Sequence, residues 1–421
     1  MPLRKTGSLR GNEMTKMRSI LRRLATAASL IVLVGVVPSY AQVSDDVVRI
    51  GVLGDESGPF ADSGGLGAIQ VAKMAAEDFG GKILGKPIQI IHADHLNKPD
   101  NAVNIARQWI DVEKVDAFLN LTLSPVAIAV QGLADSRKRT VMVTGASSTE
   151  LTGKFCSRYA SHWLEDSYTL TAAVIKASNR EKGKKWFFIT LDNAFGLAML
   201  KDGERMVKET GGTIVGSVRH PLGSGDMSSF LLQAQGSGAD YIALANVGLD
   251  TTNAVKQARE FNIIAGGKKL LVFSAFVTDI DAMGLNEGQG LVLPSGFYWD
   301  DNDRTRAFAS RFFKLMKKMP TNSHALAYAA ATHYLKAVQA AGTDDTEKVN
   351  EKMRSMPVDF FGRPGSVRAD GRVTYDISLY QVKSPSESKA AWDYMKSLGT
   401  VSQSDAFRPL SESECPLVAS K

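Results

Sequence analysis

Cysteine is nearly absent from this 421-residue chain: Cys156 and Cys415 stand alone and far apart. That excludes the paired-cysteine zinc and iron–sulfur motifs. Long hydrophobic runs are missing too. The apolar run 24–37 falls short of the roughly 20 residues that a helical membrane span needs. Phosphate-binding glycine patterns are absent: there is no Walker loop, and Leu53 stands where the second glycine of a dinucleotide fingerprint belongs. Gly145-Ala146-Ser147-Ser148-Thr149 lacks the closing glycine of a nucleophile elbow. Histidines are few, and only His92-Ala93-Asp94-His95 clusters two of them. Strand alternation sends those two to opposite faces, so no metal site is expected. Neither a cofactor nor a Ser/His/Asp set can be assigned from spacing.

What is present is the composition of an ordinary globular protein, 44% hydrophobic and 22% charged. It excludes a disordered chain, a collagen and a polytopic membrane protein. The formal net charge of +6 first points to a polyanion partner. Its distribution removes that reading. Residues 1–41 hold Arg4, Lys5, Arg10, Lys16, Arg18, Arg22 and Arg23 against Glu13 alone, and the rest of the chain has 43 basic and 43 acidic residues. No nucleic-acid partner is expected. The basic stretch, the apolar run 24–37, and Ser39 and Ala41 at the −3 and −1 places form a secretory signal peptide, cleaved near Ala41. No cysteine follows it to carry a lipid. The chain is thus expected to be exported to the periplasm. In that oxidising compartment Cys156 and Cys415 are expected to form a disulfide, the alternative being two buried thiols.

Beyond the leader, short strands alternate with longer helices. Strands are expected at 47–53, 87–93, 115–120 and 140–144, with helices at 66–79, 100–112 and 125–136. A second round follows: helices at 167–178, 195–210, 227–235 and 251–261, and strands at 186–191, 213–217, 240–245 and 269–273. This is an α/β pattern of right-handed βαβ units, giving two lobes of comparable size. A strand at 290–294, helices at 303–318 and 323–341, an antiparallel hairpin turning at Ala369-Asp370-Gly371, and a polar tail from 383 complete the chain.

The turns after the strands of the first lobe are rich in small and hydroxyl residues: Ser57, Gly58 and Ser63, then Thr122 and Ser124, then Ala146, Ser147, Ser148 and Thr149. Ligands of open α/β sheets bind outside those strand ends. Helix N-termini there offer N–H groups and a positive dipole end to an anion. Helix capping by the same residues is the simpler reading for any single turn; three turns on one edge indicate a site. The second lobe offers Phe195 and the turn Asn246-Val247-Gly248 on the matching edge, with Trp163 and Trp299 near the crossings between lobes.

Ile50-Gly51-Val52-Leu53 with Ser57-Gly58-Pro59, Gly80-Gly81-Lys82-Ile83-Leu84-Gly85-Lys86-Pro87-Ile88, and Thr144-Gly145-Ala146-Ser147-Ser148 with Glu150-Leu151-Thr152 together carry a resemblance. The sequence resembles the leucine/isoleucine/valine-binding family of ABC-transporter substrate-binding proteins over essentially all of the chain after the leader. The resemblance implies a type I periplasmic-binding-protein fold, two Rossmann-like α/β lobes joined by three crossing segments. Lobe 1 is expected at 46–162 plus 299–356, lobe 2 at 163–298 plus 357–384, and a tail, 385–421, packed back on the body. It also implies a receptor that catalyses no reaction, a small-molecule ligand between the lobes, an inner-membrane permease as partner, and a monomer. Position by position, Ser124 would bind a ligand carboxylate. Ala146 and Ser148 would supply backbone and hydroxyl contacts, with Ser147 between them. Phe195 would close from the second lobe, and Ser63 would lie against the ligand side chain.

One departure bears on the ligand. Where the family places an acidic residue against a ligand ammonium, this chain reads Phe273-Ser274-Ala275-Phe276-Val277. A buried ammonium without an anion is costly. With Trp163, Phe195, Val247, Gly248, Phe276 and Trp299 expected near the ligand, the expectation is a small aromatic or otherwise apolar carboxylate. The segments 297–300, 390–394 and 406–418 resemble the aromatic-acid branch of the family. A branched-chain amino acid or amide receptor, a periplasmic sensor and an exported hydrolase are the rival readings.

Overall fold

The computed structural model describes residues 1–3, 43–178 and 184–419. The chain divides into two units, Met1–Ala41 and Gln42–Lys421; the expected leader falls in the first and, from residue 4 on, lies outside the described residues. Everything below concerns the second unit.

Its first sheet contains β1 (Val48–Gly54), β2 (Lys82–Ile83), β3 (Lys86–Asp94), β4 (Ala117–Asn120), β5 (Thr140–Val143) and β6 (Ala160–His162), in the order β2-β3-β1-β4-β5-β6. All neighbours are parallel except the β2–β3 pair. A parallel sheet is covered on both faces, so its strands read as continuous apolar runs and not as alternating ones. Here neighbouring residues feed opposite cores. Ala117 and Leu119 join one cluster with Ile50 and Val52, while Phe118 joins another with Val141 and Val143.

The second sheet repeats the plan with β7 (Lys185–Leu191), β8 (Thr213–His220), β9 (Tyr241–Ala245) and β10 (Lys269–Val272), all parallel, in the order β10-β9-β7-β8. Phe187, Ile189, Ile242 and Leu244 face one core, and Trp186, Phe188, Tyr241 and Ala243 the other. In each sheet the chain moves from the first strand to one side and then to the other. The switch points lie between β1 and β4 and between β7 and β9. Both put loop residues outside the carboxyl ends of the strands, where such sheets bind ligands.

Three segments cross between the lobes, as the resemblance implied. The chain leaves after β6, returns between β11 (Val292–Ser295) and the helix Asp303–Met316, and leaves again after β12 (Val358–Phe360), β13 (Arg363–Val367) and β14 (Val373–Thr374). β15 (Ile377–Val382) then pairs antiparallel with β11 on one side and β16 (Met395–Val401) on the other. The hairpin at 369–371 forms between β13 and β14, with the Gly371 N–H donating to the Arg368 carbonyl.

Three details differ from expectation. Segment 357–384, placed wholly in lobe 2, divides: Val358, Phe360, Val373 and Tyr375 pack in the first lobe's core, and only Tyr380 and Val382 pack in the second's. The stretch after 341, for which no element was expected, contains a helix, Thr346–Ser355, capped by Asp345, whose carboxylate accepts from Lys348 N at 3.1 Å. The polar tail contains β16, an exposed edge strand with no apolar alternation to announce it. The expected disulfide is present: Cys156 and Cys415 are bonded, with Cα atoms 5.7 Å apart.

Candidate functional site

The turns after β1, β4 and β5 meet the turns after β7, β9 and β10 around a cleft with about 470 Å³ of empty space, including its open mouth. From the first lobe come Phe60, Ser63, Thr122, Ser124, Ala146, Ser147 and Ser323; from the second come Leu191, Phe195, Val247, Ser274 and Phe276. The polar groups are therefore concentrated on one wall, and the facing wall is apolar but for Ser274. Among the described residues, none that lines the cleft is charged.

The polar wall is built on a bent loop. Asn120, Leu121 and Leu123 have φ of 82°, 55° and 75°, a region costing non-glycine residues about 1–3 kcal/mol each. Asn120 holds the bend: its side-chain amide donates to the Gly64 carbonyl at 2.9 Å, and its backbone carbonyl accepts from the N–H groups of Thr144 and Gly145. Gly145 is required because a Cβ there would sit 2.6 Å from Asn120 Oδ1 and 3.0 Å from Thr122 Cα. The bend delivers Ser124 to the first position of the helix Ser124–Ser136, which carries no side-chain cap. An uncapped N-terminus keeps its N–H groups for a ligand. The backbone N–H groups of Thr122, Ala146 and Ser147 likewise donate to no acceptor among the described residues.

Ser124 Oγ accepts the Ser148 N–H at 3.2 Å and retains its own hydrogen to donate. The Thr122 hydroxyl is buried and without a partner among the described residues. The Ala146 carbonyl is taken by His162 Nε2 at 2.6 Å. Burial drives the His162 imidazole down to about 3, so the ring is neutral and Nε2 carries the donated proton.

The second lobe's helix Ala194–Glu209 is capped by its own Asn193, whose side chain accepts from Phe195 N and Gly196 N at 3.0 and 3.1 Å. The N–H groups of Phe195 and Gly196 are thereby taken, and the helix's contribution to the cleft is the Phe195 ring. The helix starts close against β7: a Cβ on Gly196 would lie 1.9 Å from the Leu191 carbonyl oxygen.

Of the residues expected at the site, Ser63, Ser124, Ala146, Ser147, Phe195, Val247 and Phe276 line the cleft together. Four do not. Ser148 accepts the Glu150 N–H with its hydroxyl oxygen and donates its own N–H to Ser124, so it supports the wall from behind. Trp163 is fully buried in the first core, edge-on to His333, with its indole N–H on Ser161. Trp299 packs between both cores and donates to the Trp392 carbonyl. Gly248 lies against Pro59 and Phe60 of the opposite lobe, with φ of 66°. The crossings are apolar for packing, and apolar sequence alone does not separate a packed tryptophan from a ligand platform. Phe60, Leu191, Ser274 and Ser323 were missed. Ser274 lay in the segment singled out for its missing acid, but Ser323 comes from a distant helix that no local pattern connects to the cleft.

Two acids close to this wall in sequence are committed elsewhere. Asp279, pushed up to about 6 by burial, caps its own helix by accepting the Phe276 N–H at 2.8 Å. Asp250, also raised by burial, accepts from Gly223 N at 3.1 Å. Neither lines the cleft. The His92/His95 pair divides as alternation required: His92 is exposed on Glu56, and His95 is buried and lowered by that burial. Among the described residues no group of side chains is arranged to hold a metal ion, and no helix is long and apolar enough to cross a membrane.

Residues 47–389 match the family model described as periplasmic binding protein. A Leu/Ile/Val-binding protein homolog from Brucella melitensis is 22% identical, covering 86% of this chain and 93% of its own. A periplasmic binding protein from Burkholderia mallei has a TM-score of 0.86 at 43% identity, over 88% of this chain and 99% of that one. A branched-chain amino acid ABC transporter periplasmic ligand-binding protein from Burkholderia xenovorans has a TM-score of 0.79 at 38% identity, over 88% and 100%. The fold alone, at 23% identity and a TM-score of 0.77 over 85% and 98%, is shared with a Rhodopseudomonas palustris solute-binding protein solved in complex with 4-hydroxybenzoate. The chain belongs to the periplasmic binding proteins of type I, in the Leu/Ile/Val-binding family, and is a solute-binding receptor of an ABC transporter and not an enzyme.

Proposed function

We propose that the receptor binds a small carboxylic acid with an apolar, preferably aromatic, body, and presents it in the closed form to an inner-membrane permease. The observation that carries this is the division of the cleft: hydroxyls and free N–H groups on one wall, aromatic and aliphatic side chains on the other, and no acidic side chain among the described residues that line it. The carboxylate is held by Ser124 and the N–H groups of Thr122, Ala146 and Ser147. The body packs on Phe195, Val247 and Phe276. The ligand favours the closed arrangement by its differential affinity for it.

A ligand ammonium would find no carboxylate on these walls, and an unpaired buried charge is costly. The 4-hydroxybenzoate bound by the R. palustris protein is a ligand of the proposed kind. The name of the B. xenovorans relative favours a branched-chain amino acid instead. Native mass spectrometry of freshly purified protein, followed by calorimetry with 4-hydroxybenzoate and with leucine, separates the two. A co-purified aromatic acid and no heat with leucine support the proposal; leucine binding as tightly as the acid overturns it.

A further inference from the structure

The C-terminal segment touches both lobes. On the first lobe it is fixed covalently by Cys415 to Cys156. Phe407 is buried in the first core, 5.6 Å from the Tyr375 ring at the third crossing, and the Arg408 carbonyl accepts from Arg368 at 2.6 Å. On the second lobe its ion-pair partners lie on the helix Ala194–Glu209. Arg408 pairs with Asp202 at 2.5 Å, Glu412 with Arg205 at 2.7 Å, and Glu414 with Lys201 at 3.2 Å. The guanidinium groups of Arg408 and Arg205 both lie over the ring of Tyr168 on the neighbouring helix, Ser167–Ser178.

Asp202 is the centre of this contact. Its side chain is 2% exposed, and its Oδ2 accepts from Thr149 at 3.2 Å and from Ser167 at 2.7 Å. Thr149 lies two residues beyond Ser147 of the cleft, and Ser167 begins the first helix after the first crossing. One buried carboxylate therefore joins the anion-binding loop, a crossing, the tail and the helix whose first turn carries Phe195.

We propose that residues 402–415 form a strap between the lobes, anchored on the first by the Cys156–Cys415 disulfide and gripping the second at Asp202, and that Asp202 is a positioning residue that couples lobe closure to the ligand loop. The three crossings form the hinge. The strap is a fourth connection, on the flank where Asp202, Arg205 and Lys201 are, and it limits how far the Phe195 helix swings from the Ala146–Ser147 wall. The strap is independent of ligand identity; only its effect on release rests on the ligand proposed above.

The test uses the exported protein with its disulfide intact. X-ray scattering without ligand, and stopped-flow release of 4-hydroxybenzoate, are compared for the parent, Asp202→Asn/Arg408→Gln, Glu412→Arg and Cys156→Ser/Cys415→Ser. The first variant removes the buried ion pair without leaving a lone charge, and the amide oxygen introduced by Asp202→Asn still accepts from Thr149 and Ser167. Each variant is expected to show a larger ligand-free radius of gyration and release about two- to ten-fold faster, the range of a lost pair worth up to about 1.4 kcal/mol. Unchanged radius and release in a variant that keeps the parent's circular dichroism and melting temperature overturn the strap. Should the cysteine variant fail to fold, the exposed Glu412→Arg decides in the same way. If 4-hydroxybenzoate does not bind the parent, the ligand proposal fails, and the scattering alone decides the strap.

Discussion

Ser124 has one oxygen with two duties. It receives the Ser148 N–H that would otherwise be an unpaired buried donor, and it offers its own hydrogen to the cleft. Ser124→Ala is therefore expected to weaken carboxylate binding by about 1–3 kcal/mol and to lower stability as well, because Ser148 N–H loses its acceptor. Calorimetry and thermal melting read the two effects separately; an alanine variant of parental affinity removes Ser124 from the site. A second residue-scale prediction concerns Asp116. Burial pushes its carboxyl up to about 7, against the Arg49 N–H that donates to Oδ2 at 2.7 Å. The native state therefore holds a proton that the unfolded chain releases near pH 4, so this group's contribution to stability falls as pH rises from about 4 to about 7 and is level above that. Asp116→Asn mimics the protonated acid and keeps the acceptor for Arg49. Its advantage over the parent in urea unfolding is expected to grow across that window; a pH-independent difference refutes the assignment.

The helices that face each other across the cleft begin differently, and the proposed anion site rests on that difference. Helix Ser124–Ser136 begins uncapped behind a strained bend, whereas helix Ala194–Glu209 is capped by Asn193. Asn193→Ala is expected to cost about 0.5–2 kcal/mol in stability and to weaken ligand binding only through the displaced Phe195 ring. Thermal melting shows the first effect. The second shows as equal losses for acids of the same body, whatever their anionic group. Elements of this kind were mostly legible in the sequence. The parallel strands announce themselves as apolar runs such as Phe187-Phe188-Ile189, and Ser63, Ser124 and Phe195 sit where strand-end turns place them. Three things were not legible. β16 is an exposed edge strand whose partner, not its pattern, makes it a strand. Trp163 and Trp299 are apolar at crossings, where core and cleft demand the same chemistry. The positive φ values at 120, 121 and 123 occur in Asn-Leu-Thr-Leu, a stretch with no glycine to mark the bend.

At the scale of the whole molecule, charge is the informative quantity. Residues after 41 carry 43 basic and 43 acidic side chains, and among the described residues no charged side chain lines the cleft. The excess of positive charge is confined to residues 1–41 of the sequence. A carboxylate held by hydroxyls and backbone dipoles meets no formal counter-charge, and a balanced surface gives no long-range steering. Salt then has little to screen. The Debye length shortens from about 30 Å at 0.01 M to about 3 Å at 1 M ionic strength, which strongly weakens sites built on exposed lysine or arginine. For this receptor, the dissociation constant of 4-hydroxybenzoate and its association rate are both expected to change less than about three-fold over that range. Converting the carboxylate to the neutral amide should lower affinity far more than any change of salt, because the amide places an NH2 donor against Ser124 and the N–H groups of Thr122, Ala146 and Ser147, and donors facing donors leave buried groups unsatisfied. A ten-fold loss of affinity at high salt would mean that a basic side chain outside these walls reaches the ligand, and the dipole-and-hydroxyl account of the anion site would fall with it.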